Sequence, residues 1–290
     1  MASLLNVDLW TGLVAEDRRQ SGARLCAFTG EDEAALLDTA GRCLPAEQVT
    51  WLLARLLDSI GGIRPVGVEH VRMLTVGDRD RLLFALCSAT FSPEMDLVAR
   101  CPFEECGELT ELTVSLETLT GHVPATPPAD SFEKQIELEE GPFTLRFRLP
   151  TGQDQEKACR HLAAQDAARV EAELVRECVL ELRDAKGRPV DCAARRLAQI
   201  RPHLEAAWSE LDPSADCFSQ VECPACGRAY SAVLDALSLF MAGLENRGDI
   251  FHQVDRLARA YHWSERELLA LSFQRRQRYL ELVDSQARPS

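Results

Sequence analysis

The chain has 290 residues, 46% hydrophobic and 27% charged, the proportions of a soluble globular protein with one large or two ordinary domains. Its formal net charge of -14, from 46 acidic against 32 basic side chains, repels a phosphate backbone and argues against nucleic acid as a partner. No run reaches about 18 uninterrupted apolar residues, and Met1 to Asp8 lacks the basic and apolar regions of a secretory signal, so we expect a cytoplasmic protein with no membrane partner.

Along the chain, Thr29-Gly30-Glu31-Asp32-Glu33 follows an apolar, strand-like stretch and starts a helix, with Thr or Asp available as the cap and acidic residues in the first turn. Val49, Leu52, Leu53, Leu56, Leu57 and Ile60 then fall at the i, i+3, i+4, i+7, i+8, i+11 spacing of one long amphipathic helix. Leu82, Leu83 and Leu86 mark another helix, and Cys101-Pro102-Phe103-Glu104-Glu105-Cys106-Gly107 follows it. Pro124 to Pro128 reads as a linker. Beyond it, Ile136 to Leu138 and Phe143 to Leu149 flank Glu139-Glu140-Gly141-Pro142 as a hairpin. Thr151-Gly152-Gln153-Asp154-Gln155 then repeats the first helix start 122 residues on, and Cys223 repeats Cys101 at the same offset. Five of the six stripe positions recur there as Leu174, Val175, Cys178, Val179 and Leu182, while Glu171 breaks the match and Val170 beside it supplies the missing turn.

One register for two motifs and a stripe implies an internal duplication. We therefore expect an α+β, mainly helical fold: two copies of a hairpin-helix-helix-zinc-knuckle unit joined through a zinc-ribbon-like centre, plus a C-terminal helical tail. The boundaries are residues 1–122, 123–240 and 241–290. In the tail, Ile250, Val254, Leu257 and Tyr261 mark an amphipathic helix, Ser264 with Glu267 forms a capping box, and Arg275, Arg276 and Arg278 give the last helix a basic face. The Tyr261-His262-Trp263 step breaks the helix and either presents aromatics for docking or packs Trp263 on the second unit.

The strongest chemical signal lies in the cysteines. Eleven cysteines in a chain without a secretory signal read as thiols or metal ligands rather than a disulfide framework. Cys101 with Cys106, and Cys223 with Cys226 in Cys223-Pro224-Ala225-Cys226-Gly227, each bring two thiolates to one turn, as a zinc knuckle does. Two knuckles make a four-thiolate site for one structural Zn2+, its sulfurs about 2.3 Å from the ion and within about 4 Å of one another. Loss of the ion should loosen the junction of the copies. The alternatives are reduced cysteines in turns, or a redox Cys-x-x-Cys pair. Cys26, Cys43, Cys87, Cys159, Cys178, Cys192 and Cys217 lack ligand spacing and are expected to be small buried apolar side chains. Six scattered histidines, and the lack of nucleophile-elbow, P-loop or dinucleotide fingerprints, give no catalytic constellation, so we expect no enzyme. The acidic runs Glu31 to Glu33 and Glu137 to Glu140 read as helix starts or solvated faces.

Leu74-Thr75-Val76-Gly77-Asp78-Arg79-Asp80-Arg81-Leu82-Leu83-Phe84-Ala85-Leu86, followed by Phe91 and the first knuckle, resembles the T-even-phage-like baseplate hub and hub-assembly chaperone family of contractile tails and injection systems. Arg148-Leu149-Pro150-Thr151-Gly152 with Asp154 extends the resemblance, and Leu257 to Leu271 is similar to a short helical motif of phage-tail-like proteins. The first knuckle departs from the family in its four-residue spacing. The resemblance implies a structural or assembly role in a baseplate, with hub, spike or tube proteins as partners, either resident in the particle or absent from it when finished. The other open reading is a zinc-ribbon adaptor in another complex, including a nucleic-acid-associated one.

Overall fold

A computed structural model describes residues 4–39, 41–120, 128–161, 167–215 and 217–287. Of the expected proline-rich linker, only Pro128 lies within the described residues. Strands β1 (Leu4–Ala15) and β2 (Arg18–Cys26) form an antiparallel hairpin turned by Glu16 and Asp17, both at positive φ as a tight hairpin turn demands. Helices α1 (Gly30–Thr39) and α2 (Pro45–Leu56) follow, and β3 (Leu57–Ile60) returns antiparallel to β2. Next come α3 (Val68–Met73), α4 (Val76–Thr90), the hairpin of β4 (Glu94–Arg100) and β5 (Leu109–Ser115), and α5 (Leu116–Thr120).

A similar succession then runs through β6 (Phe132–Leu138), β7 (Gly141–Phe147), α6 (Gly152–Cys159), α7 (Ala167–Cys178), β8 (Val179–Asp184), α8 (Ala194–Leu211), β9 (Phe218–Glu222), β10 (Ala229–Val233) and α9 (Ala236–Glu245). The tail is α10 (Ile250–Tyr261), α11 (Glu265–Leu269) and α12 (Phe273–Ala287). The fold is thus mixed α and β, with small antiparallel sheets of two or three strands. Strand pairing repeats in detail. Arg24 faces Ser59 and Leu25 faces Leu57 across a bulge, and 122 residues on, Arg146 faces Glu181 and Phe147 faces Val179 across another.

Helix starts are built as their residues dictate. The amide and hydroxyl of Thr29 both donate to Asp32 Oδ2 at 2.9 and 2.7 Å, and those of Thr151 to Asp154 Oδ2 at the same two distances. Ser264 donates likewise to Glu267 as its capping box requires.

The striped helix, by contrast, is shorter than its spacing predicts. It ends at Leu56, and Leu57 to Ile60 pair with β2 as a strand; Val179 to Leu182 do the same against β7. Both the helical and the extended form bury Leu57 and Ile60, so apolar spacing does not separate them, and the free edges of β2 and β7 decide for the strand. Leu56 itself is 2% exposed in the core formed with β1, β2, α2 and α4. Leu56→Asp removes that burial and places a charge in apolar surroundings, so we expect a loss of at least about 4 kcal/mol. Chemical denaturation reads it directly; a variant that unfolds cooperatively near the native midpoint contradicts the assignment.

Helices α9 and α4 seat the successive units on each other. Helix α9 sends Leu237, Leu239, Phe240 and Leu244 into the core of the first unit, where Phe240 meets Phe28 edge-on at 5.0 Å and Phe91 at 5.3 Å. The start of α4 lies on the Thr151-Gly152 corner. There Gly152 N donates to Leu74 O at 3.0 Å, Val76 N donates to Pro150 O at 2.9 Å, and Thr75 bridges to Thr151. The second unit keeps its own core, around Phe143, Leu145, Phe147, Val175, Leu182, Ile200 and Leu204.

The tail corrects two expectations. Trp263 stacks on Tyr261 at 5.1 Å and meets Tyr279 edge-on at 5.0 Å, so it packs within the tail and not on the second unit. Arg276 is fully buried against Glu33, which leaves Arg275 and Arg278 as the exposed cations of α12. Glu33 is correspondingly buried and Asp32 nearly so, because both point into contacts that hold α1 in place; the run Glu31 to Glu33 is a helix start but not a solvated face.

Candidate metal centre

Each cysteine pair sits at the tip of a two-stranded hairpin. In the first, Cys101 N donates to Glu108 O at 2.8 Å and Cys106 N to Phe103 O at 2.9 Å; in the second, Cys223 N donates to Arg228 O at 3.0 Å and Gly227 N to Cys223 O at 2.8 Å. The glycine after each second cysteine takes a left-handed conformation, φ 64° at Gly107 and 69° at Gly227, which a side chain at that position disfavours. These turns curl the backbone beneath the sulfurs, so each tip presents two thiols on one side.

The two tips face each other. Cys101, Cys106, Cys223 and Cys226 place their sulfurs within 4.8 Å of one another, slightly looser than the expected 4 Å or so. Cys101 lies 3.8 Å from Cys226, and Cys106 lies 3.6 Å from Cys223. A tetrahedron with about 2.3 Å metal–sulfur bonds has edges of about 3.8 Å, so these separations suit one ion. Cys101 and Cys223 are buried, and their neighbours form only a small cluster with Val221 and Tyr230.

Arg228 adds the second layer. Its guanidinium lies 3.8 Å above the Phe103 ring, tying one tip to the other. The Arg228 backbone amide, and then its side chain, hold the Cys226 thiol down to about 6. At Cys106 the Glu108 amide pulls the other way from burial and the neighbouring thiols, which together push it up to about 12. A cluster holding some thiolate character beside a cation is the donor set a soft divalent ion requires. Neither Arg228 nor Phe103 follows from ligand spacing, although a basic residue directly after the Cys-x-x-Cys-Gly turn was a readable cue.

The other seven cysteines lie outside this cluster. Cys87 and Cys178 are buried as expected, and burial raises both thiols, Cys178 to about 12. Cys26, Cys43, Cys159, Cys192 and Cys217 are only half-buried, because they sit at the edges of elements where one side of a small side chain remains open. Among the described residues, no helix is long and apolar enough to cross a membrane. No family model, curated protein or solved structure matches the chain.

Proposed function

We propose that this chain is a structural or assembly protein, built from two copies of one unit clasped by a single zinc ion on Cys101, Cys106, Cys223 and Cys226. The observation that carries the zinc reading is the closed set of four sulfurs at the meeting point of two hairpins that have almost no core of their own. Isolated two-stranded hairpins are marginal in water; Met95 and Val114 join the first core at the base of β4 and β5, but Val98, Leu109, Phe218 and Val233 are exposed, so hydrophobic burial supplies little at the tips. Four thiolates leave no open position for a reacting water, which makes the role structural. The recurrence of element order, helix cap and bulged strand register at one offset supports the duplication.

The place of action proposed is the baseplate of a contractile phage tail or a related injection system, with hub, spike or tube proteins as partners. Its support is the resemblance of Leu74 to Leu86 and Arg148 to Asp154, together with the way these two segments are used. They meet each other at the junction of the units, so the letters that carry the resemblance serve the architecture. Co-purification from the producing cell tests this: a hub, spike or tube protein should come with the tagged chain. Recovery of a complex without any tail component would favour the zinc-ribbon adaptor.

A further inference from the structure

Two corners of the molecule hold their neighbours in the same way. At the second, Leu74, Thr75 and Val76 of the α4 start lie on Thr151-Gly152, as described, and the fully buried Arg79 lays its Nη1 only 1.6 Å from where a Cβ on Gly152 would stand. At the first, Gly30 N donates to Leu271 O at 3.2 Å, Phe273 N donates to Phe28 O at 3.0 Å, and Ser272 bridges to Thr29. The fully buried Arg276 there brings its Nη1 to 2.8 Å from the position of a Cβ on Gly30. The two occupants share Leu, then Thr or Ser, then a buried apolar residue (Val76 or Phe273), with arginine four positions after the hydroxyl residue. A glycine is needed because a Cβ there would meet the arginine Nη1, and at Gly30 also the Leu269 backbone at 3.0 Å.

The occupant of the first corner is the tail, which has its own core of Ile250, Val254, Leu257, Leu268 and Leu280. Only Asn246 to Asp249 separate α9 from α10, with Gly248 at φ 81°. Beyond the corner itself, Arg276 reaches Glu33, Gln274 Nε2 donates to Ala89 O at 2.7 Å, and Phe273 meets Phe91 edge-on at 5.0 Å. The second unit offers no such occupant. Arg201 stands 122 residues after Arg79, but Arg196-Leu197 replaces Leu74-Thr75, and Arg201 is half-exposed and pairs with Glu171 and Glu205.

We infer that the Thr29-Gly30 corner is a polypeptide-binding site for a helix start of the form Leu-Ser/Thr-x-x-x-Arg, and that residues 250–287 are a plug occupying it in the single chain. This stands apart from the zinc reading, none of whose cysteines it uses; it shares Leu74 to Leu86, Arg148 to Asp154 and Leu257 to Leu271 with the baseplate reading but rests on their contacts, not on the resemblance.

The test uses the full chain with a protease site inserted between Arg247 and Gly248. After cleavage the tail should remain with the body in gel filtration at micromolar concentration. Arg276→Ala in the cut protein should weaken retention at least tenfold, and Gly30→Val should do the same from the other side. Arg278→Ala, the same charge change on an exposed neighbour, should leave retention unchanged. Circular dichroism of the recovered body separates lost binding from lost folding. A native tail that leaves a folded body at micromolar concentration overturns the inference, as does equal retention of the Arg276→Ala and Arg278→Ala tails.

Discussion

Gly152→Val is expected to destabilise the fold sharply. The new Cβ would fall 1.6 Å from Arg79 Nη1 and 2.5 Å from its Cζ, and that guanidinium has nowhere to retreat: it is fully buried, with Nη2 donating to Ala46 O at 2.7 Å and Thr50 Oγ1 at 3.0 Å. Burial pulls the Arg79 pKa down to about 10, so it remains a cation at neutral pH, and moving it also disturbs Thr50, whose hydroxyl reaches Glu156 across the junction. Overpacking typically costs about 1–3 kcal/mol, and a buried charge lengthens that, so a loss of about 3 kcal/mol or more is expected. Arg79→Ala opens the space the valine needs, so the double variant should be less damaged than the sum of the singles by about 1 kcal/mol or more. Denaturant midpoints of the four proteins check this. Strict additivity would mean that Gly152 and Arg79 do not press on each other.

Native protein should carry one zinc per chain, and Cys223→Ser should lose most of it. Structural zinc contributes about 10–16 kcal/mol to small domains that fold only around it, which makes the hairpin tips the part of the fold most dependent on metal. The sequence suggested that losing the ion would loosen the whole junction between the units. With α9 inserted in the first core and α4 seated on the second corner, the expected damage is narrower. Amide exchange should accelerate by orders of magnitude in β4, β5, β9 and β10, while α4 stays protected. Elemental analysis and hydrogen exchange of the native and variant proteins supply both readings. Native protein free of zinc, or a Cys223→Ser protein with full zinc content, would rule the site out.

What was legible in the sequence was whatever depends on neighbours along the chain. The Thr-Gly-x-Asp starts, the capping box at Ser264 and the paired cysteines are local chemistry, and each lies where its letters place it. The end of the stripe was not legible, because Leu57 and Ile60 suit a helix and a strand alike until β2 offers an edge. Arg79, Arg276 and Glu33 were missed for a different reason: composition rules put such residues in water, and only a partner distant in sequence makes their burial tolerable. A cue existed nonetheless. Leu271-Ser272 with Arg276 echoes Leu74-Thr75 with Arg79, a match at a different offset from the one that revealed the units.

Among the described residues the corner contacts run in one direction only: the tail seats its helix start on the first unit's corner, the first unit seats its own on the second unit's corner, and the second unit, which reaches back through α9, seats none. A head-to-tail contact of this kind has no symmetry to close it, and between separate molecules it would propagate into rings or open fibres. Covalent linkage fixes the order of the three pieces, and α8, lacking the leucine and hydroxyl residue that α4 and α12 carry, blunts the growing end. The molecule is in this sense a polymer of defined length, terminated by the sequence of one helix start.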